Sequence, residues 1–161
     1  MKLAITTYNY FGIFDTESHD LQILDEGKGK YFGITWDENF LYATVGVRLN
    51  LGEQYGQKKE RILVFDKALK RQSDFFESDI GLNNVHQLFD TGETMWVANS
   101  GKNRIEIIDK ELKTIKHWYP FFFKRNKDIN HLNSIFIKDN KLYLLAHNNQ
   151  KPSIAYEYSY P

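Results

Sequence analysis

The stretch NVHQLFDTGETMWVANSGKNRIEIIDKELK, residues 84–113, decides how this chain is read. VHQLF alternates apolar and polar residues and is followed by the turn-forming DTGE. TMWVANS is a second strand, SGKN a tight turn, and RIEIID a third strand that ends in a polar corner before LKTIKHW. Period-two alternation punctuated by Gly, Asn and Asp is the mark of short antiparallel strands. Four such strands in about 30 residues make one β-meander.

Working outward, the same unit recurs. RILVFDKALK (61–70) and RIEIIDKELK (104–113) align without a gap and share six of ten residues. The openers FGITW, VHQLF and LNSIF align with Gly33, His86 and Asn133 at one position and Trp36, Phe89 and Phe136 three residues later. Residues 3–26 supply LAITTYN, FGIFDT and LQILDE, and residues 131–160 supply HLNSIFIKDNKLYLLAHN and SIAYEYSY. Four-stranded units repeating every ~50 residues are the signature of propeller blades. The fold expected is all-β, a propeller of about three and a half to four blades formed by residues 1–161 as a single domain. Asp66, Asp109 and Asp15 are expected to close strand-ending turns through their carboxylates. Trp36, Phe89 and Phe136 are expected in the core between blades.

Counting strands raises a question of closure. The first repeat lacks an opener before LAITTYN and the last stops at its third strand. Each end therefore contributes three strands, too many to share one blade. Either four blades close a ring with two thinned members, or the chain is an arc, or it is a piece of a longer propeller. An open arc exposes edges that proteins avoid, and a homodimer of two arcs would close the ring.

Composition narrows the function classes. Lys plus Arg and Asp plus Glu are 21 each, so no overall field favours nucleic acid or a membrane surface. Cysteine is absent, which removes disulfides, thiolate metal sites and Cys nucleophiles. Aromatics reach 16% and suit strands. No run of the sequence approaches the ~18 apolar residues of a membrane-spanning helix, and the polar-broken start MKLAITTYNYFGIF is unlike a signal peptide, so a cytoplasmic location is expected. Neither G-x-G-x-x-G nor G-x-x-x-x-G-K-[ST] occurs, and no Ser stands in a nucleophile elbow. GKGK (27–30) is an inter-strand turn.

In such a fold the loops entering first strands and leaving second strands share one face. Entering loops bring Asn83, Asn84, His86, Asn130, His131 and Asn133; leaving loops bring Asn99, Ser100, Asn103, His147, Asn148 and Asn149, with Arg48 and Tyr55 from the long 47–60 loop. The candidate ligand-binding set is His86, Asn84, Asn99, His131, Asn133, His147 and Asn148. His86, His131 and His147 are candidate ligands for a divalent metal as cofactor, since neutral imidazoles suit transition metals; Asp79 and Asp128 lie nearby. His19 and His117 read as surface residues. Beside the metal reading, these polar residues also suit hydrogen bonds that tie one unit to the next. The loop 47–60 is a mobile segment or a lid. HWYPFFFKRNK (117–127) is a strand and loop, or a partner surface centred on Phe121–Phe123.

HLNSIFIKDNKLYLLAHN and VHQLFDTGETMWVANSGKNRIEIID resemble blades of bacterial propellers of the NHL and gluconolactonase-like kind. They are closer still to a poorly characterised bacterial propeller family with an H-L-N opener and a W-V-x-N second strand. The resemblance covers residues 31–149 and implies the fold and a ligand site on the channel face. The metal-binding Glu and late Asp of lactonase members have no counterpart in matching context. Members of that kind run to about twice this length, in keeping with half a ring. The function expected is a module binding a small polar ligand or a protein partner. The alternatives are a metal-dependent hydrolase or lyase and a structural interaction module.

Overall fold

The computed structural model describes residues 1–46, 60–75, 81–111, 113–121, 127–149 and 151–160. Fourteen strands form four antiparallel sheets among these residues. Sheet 1 is β1 (Lys2–Thr6), β2 (Tyr10–Asp15) and β3 (Leu21–Glu26). Sheet 2 is β4 (Lys30–Trp36), β5 (Phe40–Gly46), β6 (Arg61–Asp66) and β7 (Arg71–Phe75). Sheet 3 is β8 (Val85–Asp90), β9 (Met95–Asn99), β10 (Arg104–Ile108) and β11 (Thr114–Trp118). Sheet 4 is β12 (Leu132–Lys138), β13 (Lys141–Ala146) and β14 (Ile154–Ser159). Each sheet is a meander in chain order. No helix among the described residues is long and apolar enough to cross a membrane.

The corners form for the reason their sequence suggests. The Lys70 N–H donates to Asp66 Oδ1 at 2.9 Å, the Lys113 N–H to Asp109 Oδ1 at 2.8 Å, and the Glu17 N–H to Asp15 Oδ1 at 2.9 Å. An acceptor side chain there replaces ladder partners that the backbone loses on turning. The β12–β13 hairpin turns on Asp139 and Asn140, both left-handed (φ 52° and 58°), as a two-residue hairpin turn requires.

The sheets stack in sequence, and three buried apolar clusters fill the three spaces between them. Phe11, Tyr31, Ala43 and Leu63 join sheets 1 and 2; Tyr42, Ile62, Leu88 and Val97 join sheets 2 and 3; Trp96, Ile105, Ile135 and Leu144 join sheets 3 and 4. No buried cluster among the described residues joins sheet 4 back to sheet 1.

Strands β4, β8 and β12 lie at sheet edges, so one side of each has no ladder partner. The preceding sheet supplies acceptors instead. The Tyr31 N–H donates to the Thr7 carbonyl (2.9 Å), Val85 to Glu60 Oε2 (2.9 Å), Asp90 to Thr35 Oγ1 (3.2 Å) and Ile135 to Gln87 Oε1 (2.6 Å). Edge donors buried by stacking must be paired in this way.

Pairing corrects the repeat register. Tyr31 pairs with Val45, Val85 with Asn99 and Leu132 with Ala146; Ile34, Leu88 and Ile135 pair with Ala43, Val97 and Leu144. The first opener is thus one residue out in the sequence alignment: Phe32, not Gly33, is the counterpart of His86 and Asn133, and Thr35, not Trp36, that of Phe89 and Phe136. Aligning the large aromatics misled, because Trp36 is 69% exposed at the strand end. Phe136 is likewise exposed rather than core, while Phe89 is half-buried and meets Phe136 edge to face, with centroids 6.2 Å apart.

Gly33 has a different cause. A Cβ there would stand 2.9 Å from Gln87 Cα and Leu88 N, the backbone of the next sheet. Backbone cannot retreat as a flexible side chain can. Gly33→Ala is therefore expected to lower stability by about 1–3 kcal/mol, read as a reduced urea midpoint with an unchanged m-value.

Candidate functional site

The three equivalent first strands each carry a bulge near their start. Phe32 and Gly33 stand opposite one residue of β5, His86 and Gln87 opposite one of β9, and Asn133 is the extra residue of β12. A bulge re-aims the side chain it carries. Here it brings Phe32, His86 and Asn133 onto one cleft of about 410 Å³, completed by Thr6, Thr7, Tyr8 and Tyr31.

A row of rings runs along this end of the molecule. Tyr8 meets Phe32 edge-on at 5.8 Å, and Phe32 stacks on His86 at 5.1 Å with 19° between planes. His86 meets His131 edge-on at 4.6 Å, and His131 meets His147 at 5.8 Å. Three histidines far apart in sequence thus become neighbours, as the loop assignment expects. Asp128 anchors the row: its carboxylate meets His131 Nδ1 at 2.9 Å, Ser100 Oγ at 3.2 Å and Asn84 Nδ2 at 3.5 Å.

His86 is set apart by its surroundings. Its Nε2 is buried and has no hydrogen-bond partner among the described residues. Burial, and then the proximity of His131, bring its pKa down to about 4 against the pull of Asp128. It is neutral at pH 7. Leaving such an atom unpaired costs about 1–3 kcal/mol.

The asparagines divide between cleft and scaffold. Asn133 lines the cleft and accepts from Ser134 Oγ at 3.1 Å. Asn84 reaches Asp128. Asn99 is fully buried behind the cleft, donating to Glu106 Oε1 (2.7 Å) and the Gly81 carbonyl (3.4 Å) and accepting from the Asn83 N–H (3.1 Å). The side chain expected to meet ligand therefore holds the loops. Asn148 accepts from Asn130 Nδ2 at 3.1 Å and donates to the Pro152 carbonyl at 3.2 Å. Asn103 and Asn130 bond each other twice, both at 3.1 Å, linking the leaving loop of sheet 3 to the entering loop of sheet 4. Asn149 Nδ2 reaches the Asp128 and Ile129 carbonyls.

Glu106 underlies this scaffold. Its buried carboxylate receives Asn99, Arg104 Nε at 2.6 Å and His117 Nδ1. Arg104 in turn donates to Tyr119 Oη at 2.9 Å. His117 and His19 are both exposed, as read from sequence; His117 also meets the buried Glu106 through Nδ1, and His19 stacks on Phe14.

The residues do not fit a metal centre. The histidines follow one another edge to face, His131 is committed to Asp128, and no three His, Asp or Glu groups among the described residues converge as a ligand set. A larger cleft, about 700 Å³, opens at the opposite end of sheets 2 and 3. There Lys110 bridges Asp37 and Asp90, and Tyr42 Oη donates to Asp37. Burial opposes ionisation of Asp37, but the Asn39 and Phe40 N–H groups, Tyr42 and Lys110 hold it at about 2. Its polar atoms clamp two sheets together rather than awaiting a partner. Arg48, Tyr55, Asp79, the 47–59 loop and Phe122–Phe123 lie outside the described residues.

Sequence reasoning missed Phe32, Tyr8 and Thr7, which the register error and the distance of sheet 1 along the chain concealed. Comparison with protein-family models finds no match, and comparison with curated proteins finds none either.

Two outcomes follow from these contacts. Glu106→Ala removes the carboxylate partner of the largely buried Arg104 guanidinium and should cost about 3–5 kcal/mol, measured by chemical denaturation. His86 has a folded pKa near 4 against 6.5 unfolded, so between those values the unfolded chain binds more protons. Stability is thus present above pH 6.5 and declines as pH falls toward 4. His86→Phe should flatten that decline; an equally steep profile in the variant would assign it to other groups.

Proposed function

We propose that this chain is a propeller-type binding module whose Phe32–His86–Asn133 cleft captures a small neutral ligand carrying hydroxyl groups. The convergence of Phe32, His86 and Asn133 on one concave cleft carries the reading. A hydroxyl both donates and accepts, so it suits the mixed donors and acceptors of Thr6, Thr7 and Asn133, and a neutral ligand suits a histidine that stays uncharged at pH 7. Phe32 and Tyr8 offer faces for a ligand's apolar side, while Asn133, Thr6 and Thr7 bring polar groups to the rim. A concave site with a few convergent polar groups and a perturbed titratable residue is the usual form of a small-molecule site. Support for the propeller arrangement comes from meanders of up to four strands stacked in chain order through their first strands, and it agrees with the resemblance to NHL and gluconolactonase-like blades. Lactonase-type metal chemistry forms no part of the proposal, since the histidines are not disposed as ligands.

The test uses ligand-observed NMR with glycerol, myo-inositol and a neutral disaccharide as probes. At least one should bind, with the His86 ring nitrogens shifting on titration. His86→Phe keeps the stack on Phe32 but removes the imidazole's polarity from the cleft lining, and should weaken binding by about tenfold or more. Asn133→Ala should weaken it too. Probes that fail to bind, or bind the variants equally well, would overturn the reading.

A further inference from the structure

Among the described residues, the first and last sheets each leave one broad face uncovered, and equivalent residues elsewhere show what belongs there. On the forward side of sheet 2, Tyr42 and Thr44 are each 2% exposed beneath sheet 3; on sheet 3, Trp96 and Ala98 are 2% and 0% exposed, with sheet 4 covering that side. Their counterparts on sheet 4 are Tyr143 and Leu145, paired respectively with Glu157 and Ala155. Leu145 is 37% exposed and Tyr143 is half-buried. Thr35 touches sheet 3 through Asp90, and Phe89 touches sheet 4 through Phe136. Phe136, the next in this series, has no following sheet and is 52% exposed.

The backward side of sheet 1 is the complementary surface. Leu3 pairs with Phe14 and Phe14 with Leu21, while Ile5 pairs with Gly12 and Gly12 with Ile23. Directly paired residues share a face, and the opposite face, with Ala4 and Phe11, packs on sheet 2. Leu3, Leu21 and Ile23 are 40–41% exposed, and this central field holds no charged residue. Sheet 4 has one acid on its forward face, Glu157, already paired with Lys141 at 2.8 Å.

We infer that the forward face of sheet 4 packs on the backward face of sheet 1 of a second copy of this chain, and that two such contacts close a head-to-tail homodimer. The occupant follows from the repeat. Among the described residues, every space between sheets is a forward face of one sheet against the backward face of the next, and one surface of each kind is left over. A second copy therefore continues an interface the fold already uses three times. Zero formal net charge leaves no global repulsion to oppose it. Heterologous contacts form closed assemblies when the rotation per subunit allows.

Light scattering on a size-exclusion column tests this, with Ile23→Glu on one face and Leu145→Lys on the other. Both side chains are substantially exposed, and circular dichroism checks that each variant folds. The wild type should be a dimer, and either substitution alone should weaken dimerisation about 30-fold. Mixing the two variants should restore a heterodimer, because one interface then sets Glu against Lys and the other is wild type. A monomeric wild type, a dimer indifferent to either substitution, or a mixture that stays monomeric would each overturn the inference.

Discussion

The inner edges of β4, β8 and β12 impose the constraint on which the structure depends. A strand at a sheet edge carries backbone donors that its own sheet cannot satisfy, and stacking buries them. Each edge is answered by the sheet before it, through Thr7, Glu60, Thr35 and Gln87. These acceptors are of four kinds, a carbonyl, a carboxylate, a hydroxyl and an amide, so the solution repeats in geometry without repeating in sequence. It also fixes direction, because each sheet reaches forward to the next.

The site is a by-product of that stacking. The first strands bulge where the sheets meet, and the bulges bring Phe32, His86 and Asn133 to the common cleft. In sheet 2 the bulge includes Gly33, where a Cβ would collide with β8; in sheet 3 it supplies His86 and Gln87, one for the cleft and one for the β12 edge. Structural and candidate functional residues thus alternate along a few positions. Neighbouring asparagines divide similarly: Asn133 opens onto the cleft, whereas Asn99, Asn103 and Asn130 are consumed in holding loops whose backbones turn left-handed or run without a ladder.

Much of the fold was legible because its signals are local. Alternation located the strands, Asp-Lys corners and Gly or Asn turns located their ends, and the near-identity of residues 61–70 and 104–113 revealed the repeat. The one-residue error in the first opener had a physical source. A bulge inserts a residue on one strand only, and nothing in FGITW announces where the ladder is broken. Burial was similarly hidden, since Trp36 and Phe136 lie in strand patterns that resemble buried ones until the missing neighbour is known.

By itself the sequence determined an all-β chain of four successive meanders, with three histidines and a set of asparagines gathered at one end. Those properties depend on residues near each other in the chain, or on a repeat that carries the same position to the same place. Only the tertiary structure decided which of those polar groups face a cleft, that Phe32 and Tyr8 share it, that Asp128 anchors His131, and that His86 keeps a buried nitrogen with no partner among the described residues. It alone revealed the two unmatched sheet faces. Solvent exclusion is a property of what packs against a residue from distant parts of the chain, and local sequence does not encode that neighbour.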